Sequence, residues 1–347
     1  MNERNIDRRF RQLKFDFSVG GGGGIKSIHG NNIISLENIF GGWKKFSRGK
    51  HRNADVMVFE RNLEENLLSL REDLASGYYR HGPYQPFTIH DPKKRRIHKA
   101  AVRDRVVHQA VVNIIEPAFE HRFLFDSFSC RIDKGTHAAV WRLRRFLRQA
   151  SGNHTKTIYA IKCDVRKFFD SVDHEILSKL ISRCIDDPRI MQLIKEIIAS
   201  FSTSDRKGIP LGNVTSQLFA NTYLHELDHF VKFTLRERYY VRYCDDFVIV
   251  HSSREYLLAL VARIERFLDT QLSLQLHSDK VSVRTWNQGI DFLGYVVLPH
   301  CIVLRPKTRE RMLQRVSTAN ISSYLGLCSH AASYNIQQIL KNKVGRV

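Results

Sequence analysis

No apolar run in the sequence is long enough to cross a bilayer, and the first fifteen residues, MNERNIDRRFRQLKF, carry charge where a signal peptide would need an apolar core. The expectation is a soluble, cytoplasmic protein that makes no use of a membrane. Cysteine is sparse: Cys130, Cys163, Cys184, Cys244, Cys301 and Cys328 include no C-x-x-C pair. That scatter argues against structural zinc and predicts free thiols in a reducing compartment. Acidic residues are in deficit, with Asp+Glu 35 against Lys+Arg 55 and a formal net charge of +20 over 347 residues. A cationic surface of that size attracts polyanions, of which nucleic acid is the commonest. No lipid-anchor motif accompanies the charge, so an anionic membrane is the weaker partner. No internal repeat is visible, and the length predicts two or three lobes.

What is present centres on Val241 to Val250, VRYCDDFVIV, where Asp245 and Asp246 interrupt a run of strand formers. Aspartate favours turns, so the stretch predicts a β-hairpin with Tyr243 entering and Phe247 to Val250 leaving. Adjacent carboxylates repel each other unless a cation lies between them. A divalent-metal site and an ordinary hairpin turn are both consistent with the dipeptide alone.

Upstream, Gly20 to Gly24 reads as a flexible joint. Helical spacing begins at Ile39 and continues through residues 54–76, with Gly77 as a stop. Residues 78–119 read as strand, turn, strand and helix, with Lys93, Lys94, Arg95 and Arg96 clustered at the turn. On the next helix Arg142, Arg145 and Arg148 recur every third residue, which predicts a cationic stripe for phosphates. In KTIYAIKCDVRKFFD, alternation puts Ile158, Ala160, Lys162 and Asp164 on one strand face, so that strand ends in a carboxylate. Asp170 and Asp173 read as helix-start acids. GIPLGNVTSQ places Gly208, Pro210 and Gly212 in a loop before a helix that buries Leu218, Phe219, Tyr223, Leu224, Leu227 and Phe230. LSLQLHSDKVSVRTW predicts a strand pair around Asp279 and Lys280, IDFLGYVVL a short strand containing Gly294, and the residues from Cys301 on a basic, mostly helical end.

Carboxylates from two strand ends, Asp164 with Asp245 and Asp246, are hard oxygen ligands of the kind a two-metal phosphoryl-transfer site requires. The ordered series DVRKFF, GIPLGNVTSQ, YCDD, HSDK and FLGY resembles the motifs of reverse transcriptases over roughly Phe40 to Leu325, and GNVTSQ, AAVRDRVVHQAVVNIIEPAFEHRF and CRIDKGTHAAV bring it close to the diversity-generating retroelement branch. The resemblance implies an α+β right-hand polymerase fold. Its parts would be an extension over 1–38, fingers over 39–157, a palm over 158–300 with a fingers insertion around 175–207, and a small helical thumb over 301–347.

It also implies the site. Asp164, Asp245 and Asp246, with the carbonyl of Val165, match the ligands of two Mg2+ ions. Lys280 matches the acid on the pyrophosphate side, and Phe169 the gate against a ribose 2′-hydroxyl. Arg95, assisted by Lys94 or Lys93, matches the triphosphate contact. Leu211, Gly212 and Gln217 match the nucleotide-seating loop, and Phe292, Leu293, Gly294 and Tyr295 the primer grip. Leu211 stands where most reverse transcriptases have glutamine, in line with the retroelement branch. The implied activity is RNA-directed DNA synthesis from dNTPs, copying a template-repeat RNA into adenine-mutagenised cDNA with a small basic oligomeric accessory protein as partner. A group II intron-like, retron or defence-associated reverse transcriptase is the alternative within the enzyme class. A short carboxyl-terminal part weighs against a mobile-intron enzyme. An inactive RNA-binding scaffold is the alternative outside the class, and the three intact aspartates weigh against it.

Overall fold

In the computed structural model, residues 30–90 and 94–345 are described; the glycine run at 20–24 and Lys93 lie outside them. The fold is α+β with three antiparallel sheets. Helix α1 (Leu36–Ser47) starts where the Ser35 side chain accepts a hydrogen bond from the Asn38 amide, and α2 (Leu63–Ser76) stops at Gly77, φ 77°. A residue without Cβ takes up that left-handed backbone at little cost, which is why the helix ends there. The expected strands and helix follow as β1 (Gln85–Ile89), β2 (Arg95–Lys99) and α3 (Val102–Glu120); Arg95 and Arg96, expected at the turn, are paired residues of β2, and residues 91–93 lie outside the described residues.

The longer helices that follow, before the carboxyl-terminal part, are α4 (Thr136–Ala150), α5 (His174–Ser182), α6 (Pro188–Ala199), α7 (Val214–His229) and α8 (Arg254–Leu272). Asp173 caps α5 by accepting from the Glu175 and Ile176 amides, as a helix-start acid should. A four-stranded sheet organises them in the order β4 (Tyr240–Tyr243), β5 (Asp246–His251), β3 (Tyr159–Asp164), β6 (Ser282–Thr285). Its alternating side chains feed two cores. Ile161, Cys163, Phe247 and Ile249 pack with residues of α3, α7 and α8, whereas Ala160, Val241, Val248 and Val250 pack with α4 and the carboxyl-terminal elements. Because both faces are covered, the strand ends are where polar groups of the sheet can emerge.

Helix α7 is buried on nearly all sides: its apolar positions are in the core as expected, and so are Thr215, Ser216, Asn221, Thr222, His225 and Asp228. Buried polar groups demand partners, and those of Asn221 and Asp228 turn out to lie under the carboxylate hairpin.

Three expectations need correction. IDFLGYVVL is a hairpin rather than one strand: β7 (Ile290–Phe292) and β8 (Tyr295–Val297) are joined by Leu293, φ 51°, and Gly294, φ 88°, the paired positive angles of a type I′ turn. The HSDK region is one 3-10 turn, Ser278–Lys280, followed by the single strand β6, because β3 is the partner that β6 pairs with. The arginine stripe on α4 is broken, since Arg142 donates to Asp126 at 2.7 Å and only Arg145 and Arg148 are exposed. A third short strand, β9 (Ile302–Leu304), precedes helices α9 (Pro306–Arg315), α10 (Ile321–Cys328) and α11 (Tyr334–Val344). All six cysteines are free.

Candidate active site

The β4–β5 hairpin turns on two residues, Cys244 and Asp245, so Asp246 is the first residue of β5 rather than part of the turn. Cys244 has φ 54°, the left-handed backbone that tight two-residue turns of right-twisted strands require at their first position. Antiparallel register then sets Asp164, the last residue of β3, directly opposite Asp246. The amide of Val165 donates to the carbonyl of Asp245 at 3.2 Å. Two strand ends and one turn thus bring Asp164, Asp245 and Asp246 together.

The electrostatics of Asp245 and Asp246 are strained. Burial pushes the Asp246 carboxyl up to about 6; the like charges of Asp245 and Asp164 add to this and Lys162 opposes it. Burial likewise raises Asp245, with the Asp164 charge next in effect. Two lysines supply partial compensation. Lys280 Nζ lies 2.6 Å from Asp164 Oδ1, and Lys162 Nζ lies 3.7 Å from Asp246 Oδ1. Among the described residues no group of three or more His, Cys, Asp or Glu side chains stands ready to hold a metal ion. With Asp164 paired to an ammonium, the site presents its carboxylates to lysine. Lys162 was legible in the sequence, two residues before Asp164 on the same strand face.

Five residues after Asp164 a chain of backbone contacts begins. Phe169 is half-buried, with its ring edge-on to Phe168, and its carbonyl accepts from the Ile209 amide at 2.8 Å. That bond ties the segment after Asp164 to the glycine loop. The Leu211 carbonyl in turn accepts from the His98 amide of β2 at 3.1 Å. Gly212, φ 109°, crosses so close to β2 that an added Cβ would stand 2.8 Å from Ile97 Cγ2, so glycine is required there on two counts. Beside this junction is a cavity of about 620 Å3, lined by Lys45, Lys50, Lys99 and Arg105, by Phe87, and by the exposed Gln217. Lys99 and Arg105 share Asp55 as an ion-pair partner, so the lining keeps a net positive charge of the kind that attracts a phosphate backbone.

Not every expected residue gathers here. Lys94 and Arg95 are exposed near the outer end of the β1–β2 hairpin and make no ion pair with the aspartates. Phe292 and Tyr295 are core residues, and the Tyr295 hydroxyl donates to the Leu327 carbonyl at 2.9 Å. Leu293 and Gly294 at the turn of that hairpin are half-buried, as are Asp291 and Val296 on its strands.

The reverse transcriptase (RNA-dependent DNA polymerase) family matches residues 89–297, a span containing Asp164, Asp245, Asp246, Lys162, Lys280 and the Gly212 loop. The chain belongs to that family. Its enzyme class is accordingly RNA-directed DNA polymerase. Protein YkfC of Escherichia coli (strain K12) is 27% identical over 322 residues, covering 78% of this chain and 81% of that protein. The group II intron-encoded protein LtrA of Lactococcus lactis subsp. cremoris is 23% identical over 303 residues, covering 67% of this chain and 49% of LtrA, so the chain spans about half of LtrA's length. Among solved structures, apo telomerase from Candida tropicalis, truncated from its C-terminal domain, aligns with a TM-score of 0.47 at 13% identity over 69% of this chain and 60% of that one.

Proposed function

We propose that this reverse transcriptase copies a template-repeat RNA into adenine-mutagenised cDNA for a diversity-generating retroelement. The observation that carries the polymerase part is the register that sets Asp164 opposite Asp246 with Asp245 in the adjoining turn. The retroelement part rests on GNVTSQ and on Leu211 in the nucleotide-seating loop.

The donor set fits a hard divalent cation: mutually repelling carboxylates whose protonation is favoured first by burial and then by each other's charge, against only partial relief from lysine. Asp164, Asp245, Asp246 and the Val165 carbonyl would hold two Mg2+ ions, for which Asp164 must exchange Lys280 as its partner. When bound, such ions activate the attacking 3′-hydroxyl and neutralise charge on the leaving pyrophosphate. Lys280, released from Asp164, would give a proton to the pyrophosphate. Phe169 would underlie the deoxyribose, Leu211 and Gly212 would seat the base pair, Gln217 and the cationic cavity would receive the template, and Arg95 with Lys94 would close on the triphosphate. The Leu293–Gly294 turn, held by Phe292 and Tyr295, would support the primer. In this reading residues 39–157 act as fingers, 158–300 as palm and 301–347 as thumb, and a small basic accessory protein helps deliver the RNA.

A second reading, a group II intron-like reverse transcriptase, is favoured by the likeness to LtrA. Incubating the purified protein with dNTPs, Mg2+ and RNA transcribed from the flanking locus, then sequencing the cDNA, tests both. Errors concentrated opposite template adenine support the retroelement reading. Accurate copying of a structured intron RNA replaces it with the second, and an absence of any extension on a primed template removes both.

A further inference from the structure

Directly beneath the carboxylate hairpin lies an ion pair with no contact to solvent. The side chains of Arg242, on β4, and Asp228, on α7, are both 0% exposed. A guanidinium carries five N–H donors in a fixed fork, and all five of Arg242 are used. Nε and Nη2 donate to the two oxygens of Asp228, each at 2.6 Å. Nη2 also donates to Ser127 Oγ at 3.0 Å, and Nη1 to Asn221 Oδ1 at 3.4 Å and to the carbonyl of Cys244 at 3.0 Å. Asp228 takes a further bond from the Tyr240 hydroxyl at 2.6 Å.

The bond to Cys244 is the informative one. Stability alone would be served by the Asp228 fork, and a buried ion pair of this kind is poor evidence for a stability role, because well-packed apolar residues commonly do as well. The Cys244 carbonyl belongs to the peptide that enters Asp245. The carbonyl leaving Asp245 is held by the Val165 amide, next to Asp164. Both peptides flanking Asp245 are therefore pinned, one from the β3 end and the other from below by Arg242. Cys244 sits in a strained left-handed conformation, φ 54°, that a non-glycine residue keeps only when its surroundings impose it. Asn221 and Asp228 are seven residues apart on one face of α7, the helix that begins directly after Gly212 and Asn213.

We propose that Arg242 is a positioning residue for catalysis: seated on Asp228, it fixes the Cys244–Asp245 peptide so that the Asp245 carboxylate stands in register with Asp164, and it joins that turn rigidly to the helix behind the nucleotide-seating loop. The proposal rests on the polymerase reading of the same site.

The test replaces the pair by apolar residues of similar volume, Arg242→Met with Asp228→Leu, in the full chain. The expected result is a cooperative melting transition close to that of the unaltered protein, a kcat for primer extension at least tenfold lower, and a KM for dNTP within twofold. The rise in melting temperature on adding Mg2+ should also need several-fold more Mg2+. A folded double variant with unchanged kcat and unchanged Mg2+ response overturns the proposal. Should the double variant not fold, Arg242→Lys decides: one ammonium can pair with Asp228 but cannot also span to Cys244, so kcat should fall while the chain stays folded, and an unchanged kcat overturns the idea. Tyr240→Phe weakens the same buried network without touching the turn. It should lower the melting temperature and leave kcat alone; a kcat loss matching that of Arg242→Lys would mean that any softening of the core suffices, and would also overturn it. If the unaltered protein extends no primer, the polymerase reading fails, and the Mg2+ melting response of the same variants still decides whether Arg242 orders the carboxylates.

Discussion

A fully buried aspartate and a half-buried pair lie within one hairpin of each other and are treated in opposite ways. Asp228 meets a guanidinium fork and a phenol, so its charge is fully answered inside the protein. Asp245 and Asp246 meet burial and each other, and the two lysines nearby answer the charge only in part. The first arrangement is finished as folded. The second is left open to a charge from outside, as the proposed metal-binding role requires.

The sharpest way to break this contrast is to neutralise one member of each set. Asp245→Asn removes an unanswered charge, so DNA synthesis should vanish, by a thousandfold or more, while the melting temperature rises or holds. Calorimetry beside a primer-extension assay reads both, and a large drop in melting temperature would show that Asp245 is structural after all. Asp164→Asn should likewise abolish synthesis.

Asp228→Asn should do the reverse. It leaves Arg242 as an uncompensated buried charge, which costs about 3–5 kcal/mol. Urea titration would reveal it as a lower midpoint at unchanged slope. A stable Asp228→Asn protein would mean that water reaches the pair.

Histidines provide a third treatment of buried groups, which is to stay neutral. Burial, then the neighbouring His81 and Arg105, push His108 down to about 3, and burial pushes His225 down to about 4. Between these values and the unfolded value near 6.5, only the unfolded chain takes up the protons, so stability falls as pH falls through that window. Each histidine should contribute a slope of up to about 1.4 kcal/mol per pH unit. Unfolding at pH 7.5 and 5.5 should show the decline, and His108→Gln should flatten it. Equal slopes in the two proteins would place the sensitivity elsewhere.

The smallest effect concerns Leu211, which can offer a nucleotide contact area but no side-chain hydrogen bond. Leu211→Gln should lower misincorporation opposite template adenine several-fold, in line with the 0.5–1.5 kcal/mol that one neutral hydrogen bond contributes, roughly. Sequenced cDNA with an unaltered adenine error rate would assign infidelity to another part of the site.

How much of this could be read from the chain itself varies with the range of the interaction. Asp164 at a strand end and the DD of a hairpin follow from alternation and turn chemistry, which are local, and Gly77 follows from the need for a left-handed cap. The FLGY hairpin escaped because its turn puts Leu293 in a left-handed conformation, where turn rules expect asparagine or glycine. Arg142 read as free because Asp126, its partner, lies on a preceding loop. Arg242 and Asp228 escaped altogether. Nothing in a strand or a helix announces which buried charge on another element will meet it, and only packing fixes that choice.

The pairing of β3 with β5 has one more consequence, and it concerns how the chain matures. Everything from Val165 to Asp245, including three helices of the first core, lies between the two facing carboxylates. Closing so long a loop is slow and entropically costly, and local folding cannot anticipate it. During synthesis, Asp164 must therefore wait for most of the protein before its counterparts exist. A chain released before β5 would hold Asp164 without the carboxylates that face it.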